Sequence, residues 1–508
     1  MTSYTPPVDE LDDELTDTEF EDEDADFEPE EPEKTFDELV AEAQERIVQP
    51  DGTIQTTYSQ NLNFKVGGKT TQFGGEGEMS AEHRAEIQAV VQELERQSTN
   101  RIDFMTHTSL IKAIVEPRIL WDELTLNIET HYDLVLQFEF EGPFYLKMKV
   151  NKLAHDQVAS TLGVGQYFYS KLLETPADTG DRKEALDLLA QAVNHFLERA
   201  GKRVLIRTMD DQVRAILSPD YLIRDNYDLL FALLEPLKEV GAEVRQLFVS
   251  EKRFYVRALH PEWRDRVKRQ HMDVIERGQI FQDWMADLKA DDNGNIPYFS
   301  RLNPNNVEDP WSGLGTDGGF GQGPIEKDRV LRNDWDDDWI IPGIHGSNSE
   351  TGHGNTTLAN FALRTICMNG TVMDAPITAR HMLRGANPLD GFLSPETHQK
   401  INEAVWAEIQ DMVRATFDPE KFRAMVEQMS EAATRVIRRP TLAVDQVIQK
   451  YSIPPKKRQE LLNYLIVGND PTQWGLINAV TAMARESKDI DERMELEVVG
   501  GKMVEAVR

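Results

Sequence analysis

One cysteine, Cys367, is the only thiol in a chain of 508 residues. It cannot close an internal disulfide, and a multi-thiolate zinc site is excluded with it. No run of 18 or more apolar residues occurs, so no helix is expected to span a membrane. The opening MTSYTPPVDE has neither the basic nor the apolar region of a secretory signal. These absences make a cytoplasmic protein the expectation. Basic residues are also scarce: 55 Lys and Arg stand against 89 Asp and Glu, a net charge of −34. What is present is ordinary for a folded chain, with 40% hydrophobic and 28% charged residues, enough for roughly two to four domains.

The negative charge is concentrated. Residues 1–50 hold 20 acidic and 2 basic side chains (Lys34 and Arg46), more than half of the excess in a tenth of the chain. The tract DELDDELTDTEFEDEDADFEPEEPE, from Asp9 to Glu33, repels itself and has few apolar groups to bury. We expect disorder there. Its role is solubility, competition with nucleic acid for a basic surface, or recruitment of a basic protein partner. An acidic total does not exclude nucleic acid, because binding depends on a local patch.

Periodicity organises the rest. Residues 35–47 and 80–98 have helical apolar spacing, the second with Ser80 as an N-cap, and strands are expected within 48–77. Residues 123–151 alternate around the turn signal Glu141-Gly142-Pro143, a hairpin. Residues 154–173 read as helix, turn at Gly163, helix. Ala159 is small where two helices cross, and Val158, Leu162, Val164 and Leu172 point inward. Its second helix holds one cation, Lys171, which suits a compact helical hairpin better than a DNA reader. A helix at 184–200 precedes a hairpin at 202–218, a helix at 226–241 and a hairpin at 242–261. Residues 288–326 form a Gly/Asn/Asp-rich insertion. From Asp338 we expect a strand, a polar turn and an apolar helix, and residues 391–508 are mostly helical in pattern. The fold class is therefore α+β, an antiparallel sheet built from hairpins with packed helices. The expected divisions are an acidic tail at 1–34, a strand and helix region at 35–122, a core at 123–390 and a helical region at 391–508.

Five ordered blocks carry a family resemblance. They are QVASTLGVGQYFYSKLL, RVLIRTMDDQVRAILSPDYLIRDNYDLLFALLEPL, GAEVRQLFVSEKRFYVRALHPE, GIHGSNSETGHGNTTLANFALRTICMNGTV and TQWGLINAVTAMARESKDIDERMELEVVGGK. Between about Lys149 and Gly501 this order resembles the phage and plasmid family known as domain of unknown function 932. The resemblance implies a mobile-element origin, hence a host cytoplasm, and an α+β core. It implies no particular activity and no catalytic residue, and residues 1–100 and 288–326 lie outside it.

Four candidate sites remain. The segment HGSNSETGHG places His345, Ser347, Asn348, Ser349, Glu350 and His353 in a Gly-rich turn. Its backbone N–H groups suit a phosphate ahead of a helix; the alternative is a turn that caps its own backbone. No lysine follows the glycines and no G-x-S-x-G occurs, so neither a Walker loop nor a nucleophile elbow is present. The run Asp334, Asp336, Asp337 and Asp338, with His345, suits Mg2+ in a nuclease, or is simply a polar loop before a buried strand. Cys367, with Arg364 one turn earlier, reads as a buried structural thiol.

The fourth candidate is cationic. Lys252, Arg253, Arg257, Arg264, Arg266, Lys268 and Arg269 interleave with Phe254, Tyr255 and Trp263. Strand alternation puts Arg253, Tyr255 and Arg257 on one face, and Arg207 and Arg214 extend the row if the two hairpins share a sheet. Cations that track phosphates beside a ring that stacks on bases suit single-stranded nucleic acid. This requires the guanidinium groups to stand exposed together; the alternative is a solvated face paired with carboxylates. The leading expectation is a non-enzymatic nucleic-acid-binding protein of a phage or mobile element, binding or annealing single-stranded DNA in replication or recombination as a homo-oligomer. The alternatives are a structural or host-interaction protein, and a metal-dependent nuclease. No cofactor, resident metal or membrane partner is expected.

Overall fold

A computed structural model describes residues 81–122, 127–140, 143–176, 181–269, 274–290, 338–365, 369–373, 377–379, 395–468 and 470–507, with short pieces within 35–41 and 65–70. The acidic tail, residues 291–326 of the Gly-rich insertion, Asp334, Asp336, Asp337 and Cys367 lie outside the described residues; residues 288–290 end a helix instead. The short strands β1 (Lys65–Val66) and β2 (Lys69–Thr70) pair with each other. Helix α1 (Ala81–Asn100) precedes the first of two larger sheets.

The first sheet has six strands: β3 (Asp103–His107), β4 (Ile111–Asp122), β5 (Asn127–Glu139), β6 (Tyr145–Val150), β7 (Arg203–Met209) and β8 (Gln212–Leu217). Their order is β3-β7-β8-β6-β5-β4, and only the β6–β8 pair is parallel. Between β6 and β7 come α2 (Lys152–Leu162), α3 (Gln166–Leu173) and α4 (Asp181–Ala200). Their apolar faces, with Val158, Tyr169, Leu189 and Val193, pack on Leu136, Phe138 and Met148. The sheet curls around this core, so Phe104 on β3 meets Phe138 on β5 with ring centroids 5.2 Å apart.

Local chemistry fixes several of these elements. Asn151 caps α2 by accepting from the Leu153 N–H, and Gly163 ends it at φ +73°. The β7–β8 turn puts Asp210 and Asp211 at φ +50° and +59°, the two positive angles of a tight hairpin turn. Asp210 is held there by Arg96 (2.7 Å) and Asn100 (3.0 Å) from α1. The expected hairpin at 123–151 is present as β5–β6, but β4 pairs with β5 along its whole length. A boundary at residue 123 therefore cuts between two paired strands.

The second sheet has the path β14-β13-β12-β10-β9, with β11 beside β12 and β15 beside β13, all antiparallel. Its strands are β9 (Glu243–Val249), β10 (Phe254–Leu259), β11 (Asp265–Arg266), β12 (Trp339–Asn348), β13 (Thr356–Arg364), β14 (Asn369–Val372) and β15 (Ile377–Ala379). Helices cover both faces. On one side lie α1, α5 (Asn226–Val240) and α7 (Pro395–Thr416). The other helices are α6 (Val274–Ala290), α8 (Pro419–Ala432), α9 (Pro440–Lys450), α10 (Arg458–Val467), α11 (Gln473–Glu486) and α12 (Ile490–Glu505). They build a large second core with Ile340, Ala362 and Met373.

The apolar helix expected after the Gly-rich turn is instead strand β13. Both of its faces are buried, so TTLANFALR lacks the polar alternation that marks a half-exposed strand. Covering the sheet also demands close approach. A Cβ on Gly501 of α12 would overlap the Val372 carbonyl oxygen of β14. Gly501→Ala is expected to cost on the order of 1–3 kcal/mol by forcing helix and strand apart. A urea midpoint equal to that of the parent would contradict this packing.

Candidate functional site

The cationic row of the second hairpin is internal. On β10, Phe254, Val256 and Ala258 face α1 and α5, while Tyr255 faces α12. Arg257 is 1% exposed, paired with Glu497 of α12 and lying over the Phe361 ring at 4.5 Å. The Tyr255 hydroxyl donates to Asp491 at 2.6 Å. Arg253 donates twice to the His353 carbonyl, at 2.9 and 2.6 Å. Arg269 bridges Asp338 and Asp470, both at 2.6 Å. Arg207 and Arg214 belong to the other sheet. Arg207 pairs with Asp103 and Asp225, and Arg214 with Glu350 at 2.6 Å. Of the expected set, Lys252, Arg264 and Lys268 are exposed, as is the neighbouring Arg266, and Arg264 lies over the Trp339 ring at 5.4 Å. The exposed ribbon is therefore not formed. Tyr255 and Arg257 do share one face of the strand, but that face is covered by a helix some 240 residues later in the chain, which brings the neutralising acids.

The Gly-rich turn joins the two sheets. Asn348 donates to the Arg224 carbonyl and the Asn226 side chain, both at 2.9 Å. The Ser349 hydroxyl donates to the Lys252 carbonyl at 2.7 Å and accepts from the His353 N–H at 2.9 Å. Ser347 and Thr357 share a hydroxyl contact at 2.6 Å across β12 and β13. His345 is buried against Arg257, and burial with that charge pushes its pKa well below the ordinary imidazole value. His353 is pushed down too, by burial and by Lys252. Glu350 accepts from Arg214 and from the Asn226 N–H at the start of α5 (2.8 Å). The turn carries a carboxylate of its own, Glu350. The arginines of the first sheet and a helix N-terminus receive it.

Asp338 is likewise enclosed, so the nuclease reading loses its described carboxylate. One oxygen accepts from Arg364; the other accepts from Arg269 and from the Trp474 indole N–H (2.9 Å). Burial alone would raise this carboxyl, but Arg364 and Arg269 outweigh it and hold the pKa at about 2. His345 faces Arg257 rather than this carboxylate. Among the described residues no cluster of His, Cys, Asp and Glu could hold a metal ion.

One sheet face does meet solvent. In β6, Leu146, Met148 and Val150 point into the core or towards it, while Tyr145, Lys147 and Lys149 point out. Register carries that outer face across three strands. Lys147, Gln137 and Lys112 form one row; in the next Lys149 and Ile114 flank Val135, which is itself covered at 4% exposure; His131 pairs with Arg118 further along. Glu116 meets Lys147, and Asp133 meets Lys149 (3.2 Å) and Arg118 (3.5 Å). These side chains are about one quarter to one half exposed, and such pairs open easily to a competing anion. At the end of the face Tyr145 is 60% exposed, with the Lys147 ammonium 5.7 Å from its ring; Phe144, 73% exposed, precedes β6 at the same edge of the sheet. The signal for this face lay in YLKMKV, where one ring and two lysines alternate with core residues.

No family model, curated protein or solved structure matches the chain. No described helix is long and apolar enough to cross a membrane.

Proposed function

We propose that this chain is a non-enzymatic, single-stranded nucleic-acid-binding protein of a mobile element, acting through the outer face of β4–β5–β6. One observation carries the reading: Lys112, Lys147 and Lys149 lie on an outer sheet face that ends in the exposed ring of Tyr145. Lysines give phosphates a track, and the ring gives bases a surface to stack on, in a sequence-tolerant way. The nearby Glu116, Asp133 and Glu139 limit the electrostatic share. Stacking then supplies most of the affinity.

The expected result is saturable binding of a fluorescent oligothymidylate with a shallow salt dependence. With four cations on the face, the slope of log affinity against log salt stays below about 3 in magnitude. Tyr145→Ala is expected to weaken binding by about 1–3 kcal/mol, and Lys147→Ala with Lys149→Ala to flatten the slope. Removing residues 1–34 raises affinity if the acidic tail competes for this face. No binding at low salt, or equal binding by the Tyr145 variant, would leave the structural or host-interaction reading in its place.

A further inference from the structure

We infer that the outer side of α5 is a docking ridge for a basic amphipathic helix of a protein partner. A helix packed on a sheet normally turns one apolar stripe inward. Helix α5 does so with Leu229, Leu230, Leu233 and Leu237. It also carries a second apolar stripe on the adjacent face, which starts at the half-buried Tyr227 on the edge of the core and leads out to solvent. Tyr227, Phe231 and Leu234 follow the i, i+4, i+7 spacing that aligns side chains along one helix face. Phe231 is 48% and Leu234 41% exposed, and the rings of Tyr227 and Phe231 lie 4.4 Å apart. Tyr227 packs at the edge of the core, but the anchoring of α5 by its inward stripe does not require Phe231 and Leu234 to be apolar.

The flank of the ridge identifies the occupant. Asp228, Glu235 and Glu239 are all exposed and follow one another at i, i+7 and i+11, a carboxylate line parallel to the apolar stripe. Glu239 is shared with Arg414 of α7 at 2.7 Å, and α7 adds the exposed Asp411 beside it. An apolar stripe bordered on one side by carboxylates matches a helix with leucine-type residues on one face and lysine or arginine beside them. A second copy of this acidic chain would bring like charge to the same border, which disfavours self-association. This ridge is distinct from the β4–β5–β6 face and does not depend on nucleic-acid binding.

The test uses the full chain and a synthetic 18-residue Leu/Lys peptide whose leucines share one helical face. A peptide of the same composition in shuffled order is the control for charge alone, including attraction to the acidic tail. The amphipathic peptide is expected to bind at least tenfold more tightly than the shuffled one. Phe231→Ser with Leu234→Ser removes that preference, and Glu235→Lys reduces it several-fold while leaving the apolar stripe intact. Equal affinity for the two peptides, or an unchanged preference in the double variant with native urea midpoint, would overturn the inference. So would concentration-dependent dimerisation of the full chain that the same double substitution abolishes, because the occupant would then be a second copy.

Discussion

Asp338→Asn is expected to destabilise the protein by about 3–5 kcal/mol, the usual cost of removing one partner from a buried ion pair. Asp338 is fully buried, and Arg269, Arg364 and the Trp474 N–H converge on it. The three groups come from the segment after β11, from the end of β13 and from α11. One carboxylate thus ties the sheet to the C-terminal helices. Asparagine keeps the shape but removes the charge on which Arg364 and Arg269 converge, while Arg269 retains Asp470. The variant's urea midpoint reads the loss, and a shift worth less than about 1 kcal/mol would mean the arginines find other partners. The same group gives a pH signature. Its folded pKa of about 2 lies below its ordinary value of 3.8, so its stabilisation is complete above about pH 4 and is lost as pH falls through 2. By linkage that contribution is roughly 2–3 kcal/mol. Other carboxylates titrate in the same window, so the readout is the difference between parent and variant. The gap between their stabilities is expected to narrow from pH 5 to pH 2.

The sequence reading was accurate where a pattern is local. Helices at 80–98, 184–200 and 226–241 were legible because each has one buried stripe and a recognisable stop, as at Gly241, which adopts φ +74°. The β7–β8 turn was legible because two aspartates interrupt a run of strand formers. Strand β13 was not, because a segment buried on both faces carries no alternation to distinguish it from a helix. The partners of the arginines were not legible either. Arg257 and Glu497 are separated by 240 residues, and nothing in KRFYVRALHP announces a helix that will cover it. An arginine in a strand reads as exposed until the acid that buries it is known. The outer face on β6 was legible in principle, but β4, which widens it, begins with the weakly patterned segment IKAIVEP.

The Gly-rich turn carries an anion of its own, Glu350, which makes a sharper prediction than either a phosphate cradle or a self-capping turn. Glu350→Ala is expected to cost about 3–5 kcal/mol and also to change how the protein unfolds. Arg207 and Arg214 belong to the six-stranded sheet, and Glu350 to the seven-stranded one. Its side chain bonds Arg214 and the first N–H of α5, while its carbonyl accepts from Arg207 at 3.0 Å. Burial would raise the Glu350 carboxyl, but Arg214 and Arg207 outweigh it and keep its pKa low. The Gln157 side chain of α2 and the Tyr221 hydroxyl add bonds to neighbouring carbonyls of the turn, the latter at 2.7 Å. Much of the polar contact between the two sheets therefore passes through residues 349–351. Removing the carboxylate strands Arg214 in a buried site, whereas replacing both members, Glu350→Leu with Arg214→Met, removes the charges together. The double variant is expected to recover at least half of the single variant's loss. If the turn merely capped its own backbone, both variants would lose similar amounts. Because the clasp spans two sheets with separate cores, the single variant is also expected to unfold in two steps, with the six-stranded part melting first. Hydrogen exchange reads this directly as lowered protection in β7 and β8 while β12 and β13 stay protected. Uniform loss across both sheets would show that their coupling lies in the apolar contacts around Leu217 and Tyr221 instead.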